Sequence, residues 1–376
     1  MGMKSKKPRG YDLSMSSSKR RRKKQKTRLI WTNVIASIVL VISILSLVGM
    51  SSLNAQLWID HNTGDDPVAS GETPTGESLG DLQKSDHADV TYFLVVGTDE
   101  GDSLTDIMMV VCFDHGRNTI NIMQLPRDTY VGSDVNTGKL NAVYGSAKKG
   151  QSRIDTLAKR INTHLGLPID HYFVVSLSAF RTIVDAVGGV DIDIPNRITV
   201  NDSGSRKEYS LGPGMTHLNG NQAEGFIRNR SGKGYSKGDM SRVEAQRNFY
   251  AAFFKKVVNM SMPQMISAAT GCYDKVKTDL TLGMMLGYVQ EIKEVSMENI
   301  KIMAIPGQSG SYKVPGSSVK RSYYSIHKSD YVAIINEYFF PYGGQVKSSD
   351  LKVTELHTEK HASDIDPGVN LSELVD

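Results

Sequence analysis

The pattern of apolar and polar positions divides the chain into stretches of different character. Leu29–Leu53 runs for 25 residues without a charge. As a helix it would reach about 37 Å, enough to cross a hydrocarbon core of about 30 Å. Residues 54–89 read as a linker, in which His61–Ser85 has almost no apolar residue and the composition of a flexible tether. From Val90 the apolar positions return with two periods. Short continuous runs closed by turn residues predict buried strands at Val90–Val96, Ile107–Phe113, Thr119–Leu125, Tyr172–Leu177, Val190–Ile194 and Ile300–Ile305. Helical spacing predicts helices over Asn141–Lys148, Ser152–Leu165, Leu177–Val187, Asn219–Phe226 and Arg242–Val258. Further helices are predicted over Gln264–Thr270, Leu280–Val295 and Ser329–Tyr338. Strands alternating with helices, and apolar on both faces, predict the α/β class: an α-β-α sandwich around a central mixed sheet, one domain over 90–342. From Gly343 the composition turns polar and acidic, and 343–376 reads as a loose tail.

Charge adds direction to this layout. Residues 1–28 hold twelve Lys/Arg against Asp12 alone, a charge of +11, so the remainder of a chain that totals +4 carries −7. A basic flank beside an apolar span predicts a single-pass membrane anchor with its N-terminus in the cytoplasm and its domain outside the cell. Trp31 and Trp58 stand near the two ends of the span, where interfacial anchors belong. A cleaved signal peptide would have a shorter apolar core, about 7–15 residues. The Lys19–Arg28 run has no recognition fold beside it, so no nucleic-acid partner is expected. Two cysteines, Cys112 and Cys272, make neither a disulfide framework nor a zinc motif.

The densest chemistry lies in Leu218–Arg247, which places Arg228, Arg230, Arg242 and Arg247 around a Gly-rich loop ending in Asp239. Arg228 and Arg230 alternate in what reads as an extended tail after a helix, so both would point to one side. Arg242 and Gln246 are four apart on the next helix and share a face. Converging guanidiniums suit a ligand rich in phosphate oxygens. Arg127-Asp128 follows the third strand, and Lys139 and Asn141 stand at a helix start, where backbone N–H groups favour anions. Asp99 follows the first strand and Asp106 precedes the second. If those strands are neighbours, two carboxylates meet at one sheet end and suit a Mg²⁺ that keeps several waters. Each position alone is better read as an ordinary turn, cap or surface charge. Nine histidines form neither an HExxH motif nor a nucleophile elbow.

Taken together, these stretches resemble the LytR–CpsA–Psr family of membrane-anchored cell-wall proteins. The resemblance is carried by VVGTD (Val95–Asp99), TDIMMV (Thr105–Val110), LPRDTYV (Leu125–Val131) and GKLNAVYG (Gly138–Gly145). It continues through VDAVGGVDIDIP (Val184–Pro195), LNGNQAEGFIRNR (Leu218–Arg230) and GDMSRVEAQ (Gly238–Gln246). It implies a phosphotransferase that moves a glycopolymer, such as teichoic acid or capsular polysaccharide, from a polyprenyl-pyrophosphate carrier to a peptidoglycan hydroxyl, leaving a phosphodiester link. By the same resemblance Asp99 and Asp106 are metal positions for Mg²⁺, with Mn²⁺ as the alternative ion. Arg127, Arg228, Arg230, Arg242 and Gln246 are pyrophosphate positions, Asp128 and Asn141 are supporting residues, and Asp239 is a base or an arginine-orienting carboxylate. Leu104 and Ala245 stand where the family usually has arginine. A pyrophosphate hydrolase on the same site and a non-catalytic polyprenyl-phosphate-binding regulator are the alternatives.

Overall fold

The computed structural model describes residues 73–99, 101, 104–201, 208–228, 239–357 and 368–374, with the side chains of 239–245 left aside. The expected basic tail and the apolar span Leu29–Leu53 lie outside the described residues. Among the described residues no helix is long and apolar enough to cross a membrane.

Three strands form the middle of the sheet: β1 (Val90–Thr98), β2 (Thr105–Asp114) and β3 (Thr119–Gln124). They run antiparallel, as short turns between consecutive strands require. β4 (His171–Ser176) lies parallel to β1, and β10 (Ile300–Ala304) lies parallel to β3. With β9 (Lys277–Thr278) and β13 (Val369–Asn370) on the edges, the order is β13-β10-β3-β2-β1-β4-β9, a mixed seven-stranded sheet.

Side-chain alternation sends Tyr92, Leu94, Met108, Val110 and Cys112 to one face, against Leu157, Ile161 and Leu165 of α2 (Arg153–Leu165) and Tyr331 and Ile335 of α8 (Lys328–Tyr338). Phe93, Phe113 and Ile122 project from the other face. They pack with Val184 of α3 (Leu177–Ala186), Ile227 of α4 (Gly220–Arg228), Phe249 of α5 (Asp239–Val258) and Tyr288 of α7 (Leu282–Lys293). Helices therefore cover both faces, the sandwich expected. The remaining helices are α1 (Asn141–Gly145) and α6 (Met262–Cys272).

Three departures from the sequence reading have physical causes. Hairpins β5–β8 (Val190–Ile194 with Gly214–Leu218), β6–β7 (Ile198–Asn201 with Glu208–Leu211) and β11–β12 (Gly307–Lys313 with Lys320–Ile326) lie apart from the main sheet. Apart from Val190–Ile194 these strands were not foreseen, because they are short, polar and Gly/Ser-rich and lack an apolar run. The tether is also partly docked: Gly76 N donates to Thr278 O at 2.8 Å, and Leu79 and Leu82 pack on the core. The tail after Gly343 is not loose over its described part. Leu351 and Val353 enter the core, and Leu371 is fully buried behind the β10–β13 pair.

Candidate active site

β1 and β2 bring Asp99 and Asp106 to one end of the sheet. The register pairs Gly97 with Ile107 but Thr98 with Thr105, so Asp106 is the extra residue of a bulge. Strict alternation would turn Asp106 toward the Met108 face and into the core. The bulge turns it instead to the face of Ile107 and Met109, where all three line one cavity. Asp99 Oδ1 accepts from Leu104 N at 3.2 Å, which closes the turn between the two strands.

The next strand supplies a cation. Arg127, just beyond β3, donates from Nη1 to Asp106 Oδ1 at 2.7 Å. Its Nε is buried without a hydrogen-bond partner among the described residues. A buried donor in that state costs about 1–3 kcal/mol, and an anionic oxygen placed there would satisfy it. Asn141 N donates to Arg127 O at 3.0 Å, so the start of α1 holds the backbone of this loop. Asp128 pairs with Lys139 at 3.0 Å and supports the loop from its other side.

Arg228 comes from the opposite layer. It is the last residue of α4 rather than part of an extended tail, which corrects the expectation for this segment. The helix continues because Glu224, four residues earlier, accepts from Arg228 Nη1 at 2.8 Å. The other oxygen of Glu224 accepts from Arg181 of α3, and Glu224 is only 1% exposed. Sequence reasoning missed both Glu224 and Arg181. The i,i+4 spacing of Glu224 and Arg228 was a usable signal, whereas nothing local marked Arg181. Gly220 makes the junction close enough: a Cβ there would lie 2.3 Å from Arg181 O. Glu224, one turn further along α4, is thereby delivered to Arg181.

Gln246 lies on α5, and its Nε2 donates to Ile227 O at 3.2 Å. Arg247 beside it donates to Gln124 Oε1 of β3 at 3.3 Å, tying α5 to the sheet. Asp239 opens α5 and Arg242 lies one turn in, so the four-residue spacing of Arg242 and Gln246 is helical. The side chains of Asp239 and Arg242, and all of Arg230, lie outside the described residues.

Between the sheet and helices α3, α4 and α5 lies a cavity of about 370 Å³. Its walls are apolar, among them Val95, Val111, Ile183, Phe249 and Phe254, while Asp106, Arg228 and Gln246 line it too. Tyr250 also lines it, with a buried hydroxyl that has no partner among the described residues. Burial pushes its phenol pKa up, so the ring stays neutral. The cavity has the shape and apolar lining that suit a hydrocarbon chain, with Asp106, Arg228 and Gln246 as its polar part.

For a metal, the donor chemistry is two carboxylates on adjacent strands. Among the described residues no group of three His, Cys, Asp or Glu gathers to hold an ion. Two carboxylates completed by water and phosphate oxygens is the manner in which Mg²⁺ is commonly held. Asp99 and Asp106 are the carboxylates that would hold such an ion, with the substrate completing its coordination.

Fold and cavity together define an α/β domain whose apolar cavity is lined at one part by Asp106, Arg228 and Gln246. Residues 62–338 match the LytR_cpsA_psr family, and the chain belongs to that family. A relative from Bacillus mycoides, named polyisoprenyl-teichoic acid–peptidoglycan teichoic acid transferase TagU, is 29% identical over 64% of this chain and 76% of its own length. The fold is shared with Bacillus subtilis TagV at a TM-score of 0.53 and 24% identity, covering 65% of this chain and 93% of that one. It is also shared with a LytR-Csp2A-Psr enzyme from Actinomyces oris at a TM-score of 0.52 and 18% identity, covering 66% and 91%.

Proposed function

We propose that this protein is a membrane-anchored phosphotransferase of cell-wall assembly. It transfers a glycopolymer from a polyprenyl-pyrophosphate carrier to a hydroxyl of peptidoglycan. The observation that carries the proposal is the joining of an apolar cavity of about 370 Å³ to Asp106, Arg228 and Gln246, with Arg127 bonded to Asp106. Such a site holds the hydrocarbon and the pyrophosphate of one molecule together. The name of the Bacillus mycoides relative supports the polymer and the acceptor.

In the reaction, the acceptor hydroxyl oxygen attacks the phosphorus nearest the glycan and forms a phosphodiester. The bond from that phosphorus to the bridging oxygen breaks, and polyprenyl phosphate leaves. The hydroxyl proton goes to a carboxylate, for which Asp239 is the proposed base. Arg127 and Arg228 stabilise charge on the leaving phosphate and on the equatorial oxygens, with Arg230, Arg242 and Gln246 proposed beside them. Preorganised donors of this kind supply about 3–4 kcal/mol each. Asp99 and Asp106 would hold Mg²⁺ or Mn²⁺, which when bound neutralises phosphate charge. Anchoring through Leu29–Leu53 would keep the domain beside its lipid substrate on the outer face of the membrane.

The test is turnover of a synthetic polyprenyl-pyrophosphate glycan with peptidoglycan fragments, comparing wild type with Arg127→Ala and Arg228→Ala. Metal-dependent attachment that falls at least about a hundredfold in both variants is expected. Lipid binding without turnover, across several acceptors, would reduce the protein to a binding regulator.

A further inference from the structure

The β11–β12 hairpin stands apart from the main sheet, beside the candidate site. Its base is joined to the loop that carries Arg127. Tyr324 N donates to Asp128 O at 2.9 Å, and Tyr130 N donates to Tyr324 O at 3.0 Å. Tyr323 donates from its hydroxyl to Thr137 O at 3.1 Å and meets Tyr130 edge to face. The hairpin is therefore held firmly at one end, next to Arg127, and projects from there.

Its charge is one-sided. Residues 307–326 contain Lys313, Lys320 and Arg321 and no carboxylate, in a chain whose residues beyond 28 sum to −7. All three cations are exposed, and no carboxylate among the described residues pairs with them. The register places Lys313 directly opposite Lys320, an arrangement that destabilises a ribbon through like-charge repulsion. On the same face Ser311 stands opposite Ser322 and Ser309 opposite Tyr324. This face thus offers ammonium groups and hydroxyls along one line, and the exposed large apolar side chain of the hairpin is Val319 at its tip.

We infer that the Lys313–Lys320 face of the β11–β12 hairpin is a docking strip for a polyanionic, phosphate-bearing glycan chain. The inference rests on the glycopolymer reading above and extends it to specificity. With the reacting phosphate at Arg127, the polymer emerging from the site would lie along the ribbon. Lysines would meet its phosphates and serines its sugar hydroxyls. The like-charge pair would then be relieved by the ligand rather than by a side chain.

The experiment uses the full chain in detergent and reads the binding of purified poly(glycerol phosphate) teichoic acid, with dextran of similar length as the neutral control. Two variants are compared with wild type: Lys313→Gln/Lys320→Gln, and Ser322→Asp. The second keeps the cations and sets one carboxylate beside them, without opposing two carboxylates across the ribbon. Inorganic pyrophosphate binding reports separately on the site around Arg127 and Arg228. The inference expects teichoic acid affinity to fall at least tenfold in both variants, with pyrophosphate affinity and melting temperature within twofold and 2 °C of wild type. Wild type should bind dextran at least tenfold more weakly than teichoic acid. Unchanged teichoic acid affinity in the folded variants would overturn it. Binding to phosphatidylglycerol vesicles is read in parallel, and a loss in the variants confined to those vesicles would also overturn it and make the ribbon a membrane contact. Because binding is measured without turnover, failure of the transferase reading would not register as failure here.

Discussion

Replacing Glu224 with glutamine tests how the cation at the cavity is aimed. Glu224 is buried to 1% exposure and accepts from two guanidiniums, Arg228 on its own helix and Arg181 on α3. A charge-assisted hydrogen bond contributes about 1.5–3 kcal/mol and a neutral one about 0.5–1.5. Glutamine also presents an NH₂ where one of the two oxygens stood, so one arginine loses its bond to residue 224. Losing the charge across two bonds amounts to about 1–3 kcal/mol. The arginine side chains are 22% and 41% exposed and can rehydrate, which moves the figure toward about 1–2 kcal/mol. At about 2–4 °C per kcal/mol the melting temperature should drop by about 2–8 °C. Activity separates positioning from mere scaffolding. Without its partner Arg228 no longer holds one geometry, so kcat should fall about tenfold. KM should hold or decrease, because a negative charge near the anion site has been removed. The assay is thermal unfolding alongside the transfer reaction at saturating and limiting donor. A variant that melts and turns over like wild type would refute the reasoning, as would one that loses only KM.

Other parts of the account give separate readouts. Val95→Trp puts a large ring into the cavity, so KM for a long-chain polyprenyl donor should rise at least about tenfold while a short-chain analogue is handled normally. Tyr250→Phe removes a buried hydroxyl without a partner among the described residues. Urea unfolding should show it neutral or more stable by up to about 1 kcal/mol, and a loss of that size would mean the hydroxyl is bonded. Burial, aided by the Arg160 guanidinium, pushes the His164 pKa down to about 4 from 6.5. Arg160 Nη1 lies 2.9 Å from His164 Nε2, and because arginine can only donate, that nitrogen must accept as a neutral imidazole. Above pH 6.5 both folded and unfolded histidine are neutral and the stability is fully present. As pH falls from 6.5 toward 4 the unfolded chain gains the proton and the folded one does not, so stability is lost across that window. His164→Gln should flatten the fall in urea midpoint between those values, and parallel profiles for the two proteins would contradict the assignment.

Five of the seven strands of the main sheet were legible in the sequence because they read as continuous apolar runs, as in VTYFLVV and IMMVVCF. The two-residue edge strands β9 and β13 were too short to show a run. The helices covering the sheet were legible by spacing. The hairpins were hidden for the opposite reason: strands such as Gly307–Lys313 expose alternate residues and contain glycine and serine, so they carry a turn-like composition. Docking of Leu351, Val353 and Leu371 was also hidden, since isolated apolar residues in a polar stretch show no period. Site residues at strand ends, Asp99, Asp106 and Arg127, could be placed once the strands were. The bulge that turns Asp106 to the cavity could not, because it is a property of pairing between two strands. Glu224 and Arg181 meet through a contact between helices that only the close passage at Gly220 reveals.

The central claim is that a glycan-bearing phosphate is passed to a wall hydroxyl at the Asp106–Arg127–Arg228 end of the sheet. The most direct test is to place a ³²P label on the phosphate nearest the glycan in a polyprenyl-pyrophosphate donor. The full-length protein is then incubated with this donor, peptidoglycan fragments and Mg²⁺. The account predicts label on peptidoglycan in a phosphodiester, with unlabelled polyprenyl phosphate released, and almost none of either with Arg127→Ala. Label appearing only in soluble glycan phosphate, with or without acceptor, would contradict transfer and make the protein a hydrolase.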